Sequence, residues 1–285
     1  MTVRPQVAAF AYHEVTDEPH TTGFQRPGAL PYKHSRLAFA QHLAHIAASP
    51  AGAPRSVMEL DAHPDGRHLL LTFDDGGRSA LHAAEELSRR GWVGHFFIVT
   101  GRMGTRGFLS AREVRELRAM GHVVGSHSHT HPNIFREQSA GRMLTEWRVS
   151  SDILADLLGE PILTAAVPGG HISPVVTHSA STAGFRFLFT CEPTLTPWQD
   201  GHCRILGRYL VKVHTPILRV RELAEFRGWR SAQAMRLMKN AVRRSFPAFY
   251  RAYVSRSARE RAFVHLITGD SSASVRFDTA PGSSR

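Results

Sequence analysis

The chain predicts an α/β fold, a distorted (β/α) barrel of about seven parallel strands, from three observations. Its 285 residues at 42% hydrophobic composition can bury a sizeable core. Short apolar runs rich in β-branched and aromatic residues recur along it, and helical patterns fill the gaps between them. Such alternation means a parallel sheet, and about seven units suggest a barrel that closes or nearly closes.

In order, strands are expected at Val7 to Tyr12, Leu69 to Phe73, His95 to Val99, Val123 to Gly125, Thr164 to Val167, Phe187 to Thr190 and Leu210 to His214. The stretch "SALHAAEELSRRG" sets Leu81, Ala84 and Leu87 on one helical stripe and stops at Gly91. In "SAREVRELRAMG", Ser110 and Glu113 have capping-box spacing and Gly121 ends the helix. Thr16 to Arg36 carries three prolines and no periodicity, so it reads as a long loop after the first strand, either a lid or substrate-binding element or a plain surface insertion. The domain reading is a barrel over 1–215, a basic helical extension packed on it over 216–265, and a small, polar, disordered tail over 266–285.

The net charge of +11 is unevenly spread. Between Pro216 and Ala262, eleven Arg and one Lys stand against three Glu, so most of the excess is C-terminal. There Ala234, Leu237, Met238, Ala241 and Val242 recur at helical spacing opposite Arg and Lys, which fits a docked helix with a solvated face. Peripheral contact with an anionic membrane or glycan is the alternative. No motif supports specific nucleic-acid readout. No apolar run approaches the roughly 20 residues of a membrane helix, and the start lacks the pattern of a signal peptide, so a cytoplasmic location is expected. Cys191 and Cys203 have no C-x-x-C spacing and read as buried free thiols.

Two stretches carry chemistry. "LLLTFDDGG" ends an apolar strand with Asp74 and Asp75, which point in different directions and can hold two roles at one barrel mouth, or can merely cap the next helix. "GSHSHTHP" follows another strand with His127, His129 and His131, and imidazoles plus a carboxylate suit zinc or another first-row metal. Together, "TFDDG" and "HSHTH" resemble the first two motifs of the polysaccharide deacetylase family, carbohydrate esterase family 4, over roughly Val7 to His214.

That resemblance implies removal of N-acetyl or O-acetyl groups from an acetylated sugar of a glycan, glycolipid or sugar conjugate. It implies one divalent ion, zinc by preference, with cobalt, nickel or manganese also suited. Asp74 maps to the general base, and Asp75, His127 and His131 to the metal ligands. Ser128 maps to loop support, His129 to no role, and His13, in "FAYHEV", to a site-lining residue. The usual third motif, R-x-P-aromatic-G, is "AVPGG" here. Ala166 stands where the Arg should hold the base carboxylate, and Gly169 keeps only its N–H as an oxyanion donor. "YLVKVHTP" is similar to the fifth motif and gives His214 as general acid, with His171 in reserve. Trp198 and Asp200 lie where a fourth motif would fall. The competing readings are an amidohydrolase of non-sugar amides and an inactive glycan-binding barrel, the latter suggested by the missing Arg.

Overall fold

In strand β1 (Gln6–Tyr12), Ala8, Phe10 and Tyr12 face one way and Val7 and Ala9 the other, and both sets are buried. Burial on both faces is the mark of a parallel strand covered by helices. The computed structural model describes residues 5–49, 52–62, 66–132 and 134–245. In chain order β1 is followed by the short pair β2 (Glu14–Val15) and β3 (Lys33–His34), α1 (Arg36–Ala47), β4 (Arg67–Phe73), α2 (Ala80–Ser88), β5 (Gly94–Ile98) and α3 (Ala111–Ala119). Then come β6 (Val123–Ser126), α4 (Ala140–Leu158), β7 (Thr164–Ala166), α5 (Pro174–Thr182), β8 (Phe187–Phe189), β9 (Trp198–Asp200), β10 (Cys203–Leu206), β11 (Tyr209–Leu210), α6 (Ile217–Ala224) and α7 (Trp229–Ser245). The expected capping box at Ser110 and Glu113 is formed at α3.

Among the described residues the main sheet has nine strands in the order β11-β1-β4-β5-β6-β7-β8-β10-β9, parallel except between β9 and β10. All seven expected strands are present. The two additional ones, β9 and β10, are three and four residues long and joined by a tight turn, too short for a periodicity to register. The last expected strand shrinks to Tyr209–Leu210, because the chain turns at Lys212 to Thr215, where Lys212 N–H donates to Thr215 Oγ1 at 3.0 Å.

The sheet curls strongly. β10 pairs with β8 and β11 with β1, yet only Gly207 and Arg208 separate β10 from β11. Two residues span no more than roughly 10 Å between flanking Cα atoms, so the two sides of the sheet meet across this seam. Inside the curl lies a small apolar core of Val7, Ala9, Leu70, Phe97, Phe189 and Leu206, plugged below by Val57 and Leu60 of a 3₁₀ turn. Outside it, Phe10, Leu71, Phe73 and Phe96 join the larger core under the helices.

One compact unit runs through Asn240 and includes α6 and the start of α7, the first part of the expected helical extension. The reason is packing: α6 lies on α1, and Trp229 is buried edge-on to Phe10 with its indole N–H on Leu223 O at 2.9 Å. The rest of the basic extension, from 246, and the expected disordered tail lie outside the described residues. Among the described residues no helix is long and apolar enough to cross a membrane, and nothing supports the expected membrane or glycan contact of the C-terminal region.

Candidate active site and metal centre

The C-terminal ends of the parallel strands deliver the site, as in barrels generally. β4 ends at Phe73, and Asp74 follows with its N–H on Tyr12 O at 3.0 Å. Asp75 adopts a left-handed backbone, φ 77°, a conformation costly for a residue with a Cβ. Ser128 (φ 64°) and His131 (φ 54°) do the same, so three of the four such non-glycine residues among the described residues sit in one site.

The sequence explains how those conformations are held. Ser126 Oγ, itself donating to Ser150, accepts the Ser128 N–H, and Ser128 Oγ accepts the His131 N–H at 3.1 Å. Thr130 donates both its N–H and its hydroxyl to Glu146 of α4, at 2.7 Å each. His129 turns aside to Thr100, with Nδ1 3.0 Å from the hydroxyl, and does not join the cluster of Asp75, His127 and His131. Gly77, the second glycine of "DDGG", is required by closeness: a Cβ there would lie 1.9 Å from Glu14 Oε1.

Asp75 Oδ1 lies 3.4 Å from His127 Nε2 and 3.5 Å from His131 Nε2. It is buried with no hydrogen-bond partner, which is costly for a carboxylate oxygen. His127 Nδ1 is 2.9 Å from Ala166 O, so it carries the proton and leaves Nε2 free as a ligand atom. One atom from each of Asp75, His127 and His131 lies within 4.8 Å of the others. An orphaned carboxylate oxygen facing two imidazoles is a donor set that fits a divalent cation. Burial pushes the Asp75 carboxyl up, but the imidazoles of His127, His13 and His131 outweigh it and hold it well below the carboxylate range.

Asp74 is buried, and the cation that holds it is Arg208, at the seam between β10 and β11. Arg208 is fully buried and grips Asp74 with both guanidinium arms, Nη1 to Oδ1 at 2.6 Å and Nη2 to Oδ2 at 2.8 Å. It also donates to Thr72 Oγ1 and Thr190 O, and its guanidinium lies 5.7 and 5.9 Å from the Phe97 and Phe189 ring centroids. Burial would raise the Asp74 carboxyl; Arg208 and then His127 overcome it, so Asp74 is an anion at neutral pH. The Arg missing at Ala166 is thus replaced from a different strand end. Its sequence signal is slight, an Arg in the apolar stretch "CRILGRYLV".

A cleft of about 120 Å³ opens over these groups, lined by Asp74, Asp75, His127, His131, Gly169 and His13 among others. Six expected site residues therefore converge, with Ser128 beneath them. His214 does not join them: it is exposed in the turn after β11, and His171 is likewise outside the lining. Trp198 and Asp200 form β9, where Asp200 accepts from Thr177 rather than meeting any site imidazole. Cys191, not singled out for the site, lines the cleft beside Arg208, and its contact with Gly170 leaves no room for a side chain there.

A curled parallel sheet with a carboxylate and imidazole cluster at its strand ends defines a (β/α)-barrel architecture with a candidate metal site. Residues 61–188 match the family described as polysaccharide deacetylase. Solved structures share the fold. A polysaccharide deacetylase from Bacillus cereus aligns at TM-score 0.64 and 19% identity over 77% of this chain and 69% of its own. IcaB from Ammonifex degensii aligns at 0.61 and 24% over 78% and 100%, and the Streptococcus pyogenes deacetylase PplD at 0.60 and 17% over 77% and 98%. His13 and Arg208, which complete the site, lie outside the matched segment.

Proposed function

We propose that the protein is a metal-dependent hydrolase that removes an acetyl group from an amino sugar of a glycan, glycolipid or sugar conjugate. The observation that carries this reading is the buried, unpartnered Asp75 carboxylate oxygen facing His127 and His131 beside a second carboxylate held apart by Arg208. A divalent ion held by Asp75, His127 and His131, zinc by preference, would supply Lewis acidity to the acetyl carbonyl and a lowered pKa to water.

The chain's own residues then have distinct tasks. Asp74, fixed as an anion by Arg208, accepts the proton of the attacking water. The N–H of Gly169, on the cleft wall, donates to the carbonyl oxygen as it gains charge, a role that needs no side chain. The departing amine needs a proton, and His13 takes the role expected of His214: it lines the cleft, and its Nδ1 is buried without a hydrogen-bond partner. The products are acetate and a free amino sugar; the Streptococcus pyogenes relative of this fold was solved in complex with acetate.

The grip of Arg208 on Asp74 supports an active enzyme over the inactive glycan-binding barrel suggested by the missing Arg. The test is acetate release from N-acetylated sugars by zinc-loaded protein. Wild type should turn over, Asp74→Asn should keep metal but lose at least about 100-fold in kcat, and His13→Ala should lose far more on the amide than on an aryl acetate, whose leaving group needs no proton. Equal metal content in wild type and His127→Ala, or a selective loss in His214→Ala instead of His13→Ala, would overturn the assignment.

A further inference from the structure

The two imidazoles of the ligand set are oriented by different means. His127 is fixed through its Nδ1, 2.9 Å from Ala166 O. His131 stands on a left-handed backbone, and its Nδ1 is buried with no hydrogen-bond partner. Imidazoles that hold a metal are normally oriented through that second nitrogen, so packing must fix this ring instead. The ring that packs on it is Phe24, from the Thr16 to Arg36 loop, with centroids 5.2 Å apart and planes inclined by 52°.

Phe24 is itself held from several sides. The Phe108 ring meets it edge-on at 5.1 Å, and the guanidinium groups of Arg26 and Arg102 lie 4.9 and 5.6 Å from its centroid. The backbone on either side of this pair is stitched together. Gly107 O accepts the Gly23 N–H of the loop at 2.8 Å and the Arg78 N–H of the turn after β4 at 2.9 Å. Phe108 forms an antiparallel bridge with Gly77, and Leu109 N–H donates to Gly76 O at 3.0 Å, directly after Asp75. One aromatic pair therefore joins the backbone behind Asp75 to the ring of His131, two members of the ligand set that come from separate strand ends.

We infer that Phe24 is a positioning residue for the metal: its ring, backed by Phe108, holds the His131 imidazole toward Asp75 in place of the hydrogen bond that His127 has. This rests on the metal-centre reading. The long loop, which also walls the cleft, thereby becomes part of the metal centre.

The test is zinc affinity, measured on metal-free full-length protein by competition with a chelator. Phe24→Ala should weaken it about tenfold or more, the loss usual when the support of a ligand is removed, and Phe24→Tyr, which keeps the ring, should stay within about twofold of wild type. Gln25 donates to Thr22 O and Gly23 O, so Gln25→Ala loosens the same loop without removing the ring. It should change zinc affinity by less than about twofold. Cobalt-loaded protein gives a second readout, because its visible absorption follows ligand geometry: the bands should shift in Phe24→Ala and not in Gln25→Ala. Unchanged zinc affinity in Phe24→Ala, or an equal loss in Gln25→Ala, overturns the inference while leaving the metal centre standing. A wild-type protein that binds no zinc rejects the metal centre, and the inference with it. If Phe24→Ala does not fold, Phe24→Leu, which keeps apolar bulk without a ring, is judged by the same two criteria.

Discussion

Arg208 and Asp74 are each almost wholly removed from water, and neither could be buried alone. Burying an isolated charge costs several kcal/mol, and removing one partner of such a pair typically destabilises by about 3–5 kcal/mol. The pair serves Asp74 more than it serves stability, because both carboxylate oxygens are fixed in direction while Oδ2 stays 3.9 Å from His127 Nε2, beside the ligand set. Arg208→Met should therefore lower stability by about 3 kcal/mol or more and also change the pH profile. A base works only when deprotonated, and loss of the cation leaves burial to push the Asp74 carboxyl upward. The acid limb of kcat/KM should accordingly move to higher pH, with a smaller shift in Arg208→Lys, which keeps the charge but not the two-armed grip. Profiles measured across pH 4–8 check this. A stability loss with an unmoved acid limb would make Arg208 a structural residue only.

At the scale of elements, the turn between β4 and α2 is tied to the long loop through Glu14. That carboxylate accepts from Thr22 and from Ser79 at 2.6 Å each and fills the space where a Cβ of Gly77 or Gly23 would stand. Gly77→Ala should cost about 1–3 kcal/mol of stability, as overpacking does, and weaken metal binding through Asp75 two residues away. In a Glu14→Ala background the added methyl meets no carboxylate, so the same substitution should cost much less. Urea unfolding of the four proteins measures this coupling, and additive costs would show that Gly77 answers to something else. The strands of this framework were legible because runs such as Leu69 to Phe73 are buried on both faces, and the candidate ligand set was legible because it is local: a DD pair and two His four apart. Arg208 was not legible. Its partner is more than a hundred residues away, and only the curling of the sheet brings β10 and β11 to Asp74. His13 showed only a short motif, while His214 matched a motif yet lies beyond the two residues of β11, where the chain has already turned outward.

Across the whole molecule, buried histidines link stability to pH. His95 lies inside the curl, where its Nε2 accepts the Val57 N–H at 2.9 Å and its Nδ1 faces Leu71 O at 2.9 Å. The neutral ring meets both demands, with a proton on Nδ1 only, and a cationic ring would lose the Val57 bond that seats the 3₁₀ plug beneath the core. Burial pulls His95 down to about 4, and burial does the same to His34 and His42, each also to about 4, packed with Tyr12 behind β1. Between pH 6.5 and about 4 the unfolded chain therefore binds protons at these three positions that the folded chain refuses, so stability must fall as pH falls through that window. Each group could contribute up to about 3 kcal/mol by this linkage. His127 and Glu14 oppose them, since both are raised in the fold, His127 by Asp74 and Asp75 against its burial and Glu14 by burial itself. These lowered imidazoles, joined by His131 and by the lowered Asp74 and Asp75 carboxyls, outweigh the two raised groups and leave a net loss on acidification. Urea midpoints of the metal-free protein should drop steadily from pH 7 to pH 4.5. His95→Gln, which can donate and accept but cannot take up a proton, should flatten that slope even if it lowers stability at pH 7. An unchanged midpoint over this range, or a slope as steep in His95→Gln as in wild type, would show that the buried imidazoles do not govern the acid response.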